Sequence, residues 1–282
     1  MARVAIVTDS TADLAPEVCA RLGIAVVPLN VHFGEEVFRD QLDLTSDQFM
    51  ERLRRTPDLP TTSQPSPGRF EQTFRELAAD HDEIVAVLLS SKLSGTVQSA
   101  LLARDAVADV IRVEVVDSLN ASVGLGFQVL RAADLAAAGS DAAAIAARLA
   151  TETGAYHLVF FVDTLEFLQR GGRIGRAAAL VGSILSLKPT LRVDEGLIVP
   201  FERTRSRAKA IKGLAAFAKG LPRVERLAVL HSTTPEDAAA LADECVSLLP
   251  RSEIAIAKFS PVIGTHVGPG AMGVAVFEGE PA

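Results

Sequence analysis

Ile84-Val85-Ala86-Val87-Leu88-Leu89-Ser90-Ser91-Lys92-Leu93-Ser94-Gly95-Thr96-Val97 is an unbroken apolar run that ends in hydroxyls and a glycine and then enters a helical stretch, Val97 to Ala108. A short β-branched run without polar alternation reads as a buried strand. A strand that feeds a helix through a short polar turn is half of a βαβ unit, so the chain is read as α/β with a parallel sheet.

The same signature recurs outward in both directions. Val4 to Val7 runs into Thr8-Asp9-Ser10-Thr11, Val113 to Val116 into Asp117-Ser118, and Leu158 to Val162 into Asp163-Thr164. A second series holds Thr190 to Val193, Leu197 to Pro200, Leu227 to Leu230, Glu253 to Phe259 and Gly273 to Phe277. The turn Asp194-Glu195-Gly196 makes Thr190 to Pro200 a hairpin. Ser66-Pro67, with Phe70, Phe74 and Leu77 behind it, supplies an N-cap, a proline at the first helical position and one apolar face. Pro235-Glu236-Asp237 opens a helix in the same way, and Ala132 to Ala150 reads as one Ala-rich helix. Asp163 to Gly175, with its Gly171-Gly172 pair, interrupts the pattern and is the expected domain junction.

Composition narrows the function classes. The 282 residues are 49% hydrophobic, enough for a large core, but only 5% aromatic, with no Trp, one Tyr and 13 Phe. Apolar surface is therefore aliphatic plus Phe, which suits a hydrocarbon ligand better than a stacked base. A net charge of −7 argues against a nucleic-acid partner. Cys19 and Cys245 are far apart and outside any CxxC pair, as expected of buried thiols in a reducing compartment. Met1 to Ser10 lacks a signal-peptide core, and the most apolar helical stretch, Ala177 to Leu187, is far shorter than the ~20 residues of a membrane span. The expectation is a cytoplasmic monomer with at most transient membrane contact.

In open α/β sheets ligands collect beyond the carboxyl ends of the strands. Here those ends carry hydroxyls, most of which are ordinary helix N-caps. Ser94-Gly95-Thr96 stands apart: a hydroxyl, a glycine that lets backbone approach, and a following helix together form a candidate anion site. His266 lies in Ile263-Gly264-Thr265-His266-Val267-Gly268-Pro269-Gly270-Ala271, read as a Gly-rich turn before the last strand. No GxxxxGK[ST] loop, HExxH motif or Cys/His cluster is present, so neither a P-loop nor a zinc site is expected. Gly268 to Gly273 spells GxGxxG but leads into a strand, and is read as chance.

Taken in order, Thr8-Asp9-Ser10-Thr11-Ala12-Asp13-Leu14, Thr62-Ser63-Gln64-Pro65-Ser66-Pro67, Ser90-Ser91 through Ser94-Gly95-Thr96, and Asp117-Ser118 closely resemble the DegV family of fatty-acid-binding proteins. Asp163 through Ile174, Leu187-Lys188-Pro189, Arg203-Thr204-Arg205 and Gly264 through Ala271 extend the resemblance over nearly the whole chain. It implies two α/β domains, an N-terminal one (1–160) with a mostly parallel, Rossmann-like sheet and a C-terminal mixed one (161–282), with a ligand tunnel between them. The Thr61–Pro67 loop is expected to pack with the C-terminal domain. The resemblance further implies a long-chain fatty acid as ligand, its carboxylate bonded by Thr62, Ser94 and His266, with Gly95 and Thr96 beside them, and no catalytic residue, metal or cofactor. Some family members present the acid to a separate ATP-dependent fatty acid kinase that makes an acyl phosphate; Arg173 and Arg203 are then expected to serve partner or phosphate contact. At about 0.8 kcal/mol per buried methylene, the tail would dominate affinity and the polar groups would select the head.

Two other classes stay open on the residues alone. Ser94, His266 and Asp117 could be assembled into a serine hydrolase triad acting on acyl esters. A nucleotide-binding regulator on a doubly wound sheet rests on fold analogy only.

Overall fold

The structure, a computed structural model, describes residues 3–180 and 188–280. The first half of the chain holds strands β1 (Val4–Asp9), β2 (Ala25–Val27), β3 (Asn30–Phe33), β4 (Glu36–Arg39), β5 (Thr61–Ser63), β6 (Glu83–Leu88) and β7 (Arg112–Asp117). Between and after them come helices α1 (Pro16–Leu22), α2 (Ser46–Arg55), α3 (Pro67–Leu77), α4 (Thr96–Ala106), α5 (Ser122–Ala137) and α6 (Ala142–Glu152). The second half holds β8 (Tyr156–Phe161), β9 (Lys188–Asp194), β10 (Leu197–Thr204), β11 (Arg226–His231), β12 (Ile254–Lys258) and β13 (Met272–Phe277), with α7 (Glu166–Arg170), α8 (Arg207–Gly220), α9 (Pro235–Glu244) and α10 (Pro261–Val267).

The buried apolar runs form the two main sheets. A parallel sheet has the order β2-β1-β6-β7, and a mixed sheet the order β10-β9-β8-β13-β11-β12. In the mixed sheet only β11 and β12 run parallel, joined through α9. Glu195 and Gly196, both at positive φ (48° and 80°), make the two-residue turn of the β9–β10 hairpin, a geometry that matches strand twist. Ser66 caps α3, accepting from the Arg69 N–H at 3.3 Å, and Phe70 and Phe74 are wholly buried beneath it.

Two expectations are corrected, and one sheet was not anticipated. The Ala-rich segment Ala132 to Ala150 is two helices, because Gly139 turns the chain at φ 89° and Asp141 caps α6 through the Ala144 N–H at 2.8 Å. The Gly-rich segment around His266 is a capped helix, α10, with the Ser260 hydroxyl accepting from the Ile263 N–H at 3.4 Å and Pro261 at the first helical position. A third, antiparallel sheet, β4-β3-β5, has no counterpart in the apolar runs, since its strands alternate buried Val31 and Phe33 with half-buried Asn30 and His32. Of the Ala177 to Leu187 stretch, residues up to Leu180 finish a 3-10 helix (Gly175–Leu180) and 181–187 lie outside the described residues. Every strand pairing of β8 is within the mixed sheet.

Helix α5 links the two units. Its first eight residues, Ser122 to Val129, are all buried, and it packs on β1 and β6 on one side and on β8 and β13 on the other. A helix that is apolar all round belongs between two layers. Ser90, just after β6, donates to the Gly196 carbonyl at 2.9 Å and so fastens the hairpin of the mixed sheet to the parallel unit.

Candidate functional site

Beyond the carboxyl end of β6, the parallel unit faces the mixed sheet across a cavity of about 340 Å³, within the range of small-ligand pockets. Its walls are mainly aliphatic and come from both units. Leu89 and Leu93 follow β6, Leu158 and Phe160 lie on β8, and Val193 and Ile198 come from the hairpin. Such a wall offers nothing to a charge and suits a hydrocarbon chain.

The polar lining is concentrated in a few groups. β5 pairs with β3 and carries Thr62, while the last turn of α10 carries His266; the Thr62 Oγ1 and the His266 Nε2 are hydrogen-bonded at 3.0 Å. The Thr61–Ser63 segment thus reaches the C-terminal half of the chain. Ser94, on the β6–α4 loop, lines the same cavity and its Oγ is 2.9 Å from the Thr96 Oγ1. Thr96 is fully buried at the start of α4 and supports the loop from behind. Gly95 has its function in closeness: a Cβ there would collide with the Gln64 side chain, which lines the cavity and bonds the Ser99 Oγ at 3.1 Å.

His266 is neutral at physiological pH. Burial disfavours its charged form, the neighbouring Arg173 guanidinium adds to that, and together they bring the imidazole down to about 4. Its Nδ1 is buried with no hydrogen-bond partner among the described residues. Gly171 lies against that atom so tightly that a Cβ would overlap it. Gly171, the first glycine of the pair read from sequence as a junction, seats the imidazole. Its signal in the sequence was present, but a glycine's reason is visible only when its neighbour is known.

The two arginines expected to act together stand in different surroundings. Arg173 is half-buried and lines the cavity, with Nε donating to the Leu93 carbonyl at 3.1 Å and an NH group donating to the Gly171 carbonyl at 2.8 Å. It bridges the loop that carries Ser94 and the segment that holds His266. Arg203 is exposed on β10, opposite Pro189, and makes no ion pair among the described residues.

No hydrolase triad is assembled. Asp117 accepts from the backbone N–H groups of Ser91 and Leu119, both at 3.1 Å, and with Nδ1 unpartnered His266 has no carboxylate to orient it. Among the described residues no group of three or more His, Cys, Asp or Glu side chains could hold a metal ion, and no helix is long and apolar enough to cross a membrane.

A family model described as "Uncharacterised protein, DegV family" matches residues 3–279. A DegV domain-containing protein of Halalkalibacterium halodurans is 40% identical over 278 residues, covering 97% of this chain and 98% of that one. Among solved structures, a DegV family protein from Thermus thermophilus, described by its fatty acid binding, is similar with a TM-score of 0.89 and 40% identity, covering 98% of this chain and 99% of the other. DegV from Bacillus subtilis, described as a fatty acid binding protein, is similar with a TM-score of 0.89 and 38% identity, covering 98% and 100%.

Proposed function

Because the chain belongs to the DegV family, we propose that it binds a long-chain fatty acid in the cavity between its two sheets and presents the carboxylate for reaction elsewhere. The observation that carries this reading is a cavity with mainly aliphatic walls whose polar lining includes Thr62, Ser94 and His266. Solved relatives described as fatty acid binding support it.

The head-group chemistry follows from the neutral imidazole. With the His266 proton on Nε2, that N–H donates to the Thr62 Oγ1 across 3.0 Å, and the threonine hydroxyl is left free to donate onward. The Ser94 hydroxyl supplies a second donor. A carboxylate met by such neutral donors keeps more of its charge and nucleophilicity than one locked in an ion pair. Burial of the tail, at about 0.8 kcal/mol per methylene, supplies most of the affinity, and the donors choose acids over alcohols and amines.

The bound acid is the substrate of a separate ATP-dependent kinase, to which this chain acts as carrier. A carboxylate oxygen attacks the γ-phosphorus, the bond to ADP breaks, and an acyl phosphate is formed. Arg203, exposed and without an ion-pair partner among the described residues, offers a charge to the kinase or its nucleotide; Arg173, which lines the cavity, offers one to the acyl phosphate in this scheme. The reading is tested by titrating lipid-free protein with palmitate and with hexadecanol. Wild type should prefer the acid, and Thr62→Val or His266→Ala should lose about tenfold on the acid, the worth of a charged hydrogen bond, and almost nothing on the alcohol. Equal affinity of wild type for acid and alcohol would contradict the assigned head group.

A further inference from the structure

Asp9, Asp13 and Asp40 are 0%, 6% and 1% exposed, and none of them forms an ion pair among the described residues. A buried carboxyl without a cation must be hydrogen-bonded, protonated or both. Asp9 serves its own sheet, accepting from the Thr11 N–H at 3.0 Å and the Leu89 N–H at 2.8 Å. Asp13 and Asp40 instead reach across the molecule to one place, the start of α10. Asp13 Oδ1 accepts from the Ser260 N–H at 3.1 Å, and Asp40 Oδ1 from the Val262 N–H at 3.2 Å. The other Asp13 oxygen accepts from the Ser122 hydroxyl at the start of α5, while Asp40 Oδ2 is buried with no partner. Ser122 and Val262 are both cavity-lining residues.

We propose that Asp13 and Asp40 are positioning residues of the head-group site, a shared anchor that fixes the start of α10 and so sets where His266 stands against Thr62. The proposal rests on the fatty-acid reading above. α10 has seven residues, too few to hold a direction by itself, so its orientation is inherited from what grips its ends. Pro261 has no N–H, Ser260 caps Ile263, and the two aspartates take the N–H groups of Ser260 and Val262. Asp40 directly follows β4, in the same small sheet as the Thr62 strand, and Asp13 follows β1. Asp40 thus ties the segment bearing His266 to the sheet bearing Thr62, and Asp13 ties it to the end of β1 and, through Ser122, to α5.

The pair also holds protons. Burial pushes Asp13 up to about 8, with the like charge of Asp40 adding to it, and pushes Asp40 up to about 7, with Asp9 adding. The groups that face the pair are Asp9 and Ser10 from the end of β1, Ser122 from α5 and Ser260 from α10; Lys258, two residues ahead of Ser260, is taken up by Asp47 at 2.6 Å. In unfolded chain both acids return to 3.8, so the stability they contribute is full in acid and is lost as pH rises from about 4 through about 8. Over neutral and mildly alkaline pH His266 is already neutral, so it is the acid pair that titrates near the site.

The test uses lipid-free full-length protein and cis-parinaric acid as fluorescent ligand, titrated from about pH 6 to about pH 9, with His266 followed by its imidazole NMR signal. Wild-type affinity should be highest near pH 6 and fall as pH rises through about 7 to about 8. Asp40→Asn, which keeps the acceptor for Val262 and cannot ionise, should flatten that fall. Asp40→Ala should bind about tenfold more weakly at every pH and shift the His266 signal, as leaving the buried Val262 N–H without its acceptor predicts. Wild-type affinity and an unmoved His266 signal in Asp40→Ala would overturn the anchor, as would a pH profile that Asp40→Asn leaves unchanged. If Asp40→Ala does not fold, Asp40→Asn and Asp13→Asn carry the test through the profile alone. Failure of wild type to bind the probe at any pH would sink the fatty-acid reading and not the anchor.

Discussion

At the scale of the residue, the site is a matter of side chains that have no room to be anything else. Gly171 has ordinary φ, so alanine there would strain no backbone; its cost would come from the methyl meeting the His266 ring, Nδ1 first, and the Phe167 carbonyl. We expect Gly171→Ala to lose about 1–3 kcal/mol of stability, the usual price of overpacking, and to weaken fatty-acid binding through the displaced imidazole, checked by thermal unfolding and by probe titration. Unchanged affinity would mean the imidazole has slack there. Little of this was legible in the sequence. Ser94 could be singled out because it follows a strand and precedes a helix, but Thr62 and His266 are 204 positions apart and became a pair only through family resemblance and then through the fold. Nothing in the local pattern of Asp13 or Asp40 distinguishes a helix cap from a buried anchor, because the difference lies in partners more than 200 residues away.

Elements were legible in proportion to how continuously apolar they are. β1, β6, β8 and β11 are buried along nearly their whole length and read directly as strands, whereas β5 is Thr61-Thr62-Ser63, a strand only because β3 is beside it. The Ala-rich segment misled for the opposite reason, since alanine favours helix strongly enough to hide a short break at Gly139-Ser140-Asp141. The β9–β10 hairpin offers a test at this scale. Gly196 has φ 80°, and a Cβ there would press on the Ser90 hydroxyl that bonds its carbonyl. Gly196→Ala should cost at least about 1 kcal/mol and release the hairpin from the parallel unit, seen as faster amide exchange in β9 and β10; unaltered exchange would show the hairpin is held by its other contacts.

For the whole molecule, one fact governs how the two units behave. Of three clusters of buried apolar residues, one spans both sheets and α5, including Leu125 and Val129 on the helix, Val85 and Val87 on β6, and Leu158 and Phe160 on β8. A core that crosses the division should melt as one, so calorimetry should show a single transition, raised by added fatty acid in the manner of a ligand bound only to the folded chain. Two resolved transitions would mean the units are coupled weakly across α5. At this scale the sequence pattern carried the two series of strands, whereas the cavity between the sheets was expected only from the family resemblance, because it is built from residues of both halves of the chain.

The most direct test is native mass spectrometry of the protein as purified, followed by denaturing release and identification of whatever was bound. A single saturated or monounsaturated long-chain acid per chain, lost in a variant that fills the cavity such as Leu158→Trp, is the expected result. Protein that carries no lipid as isolated and takes up none when offered palmitate would contradict it.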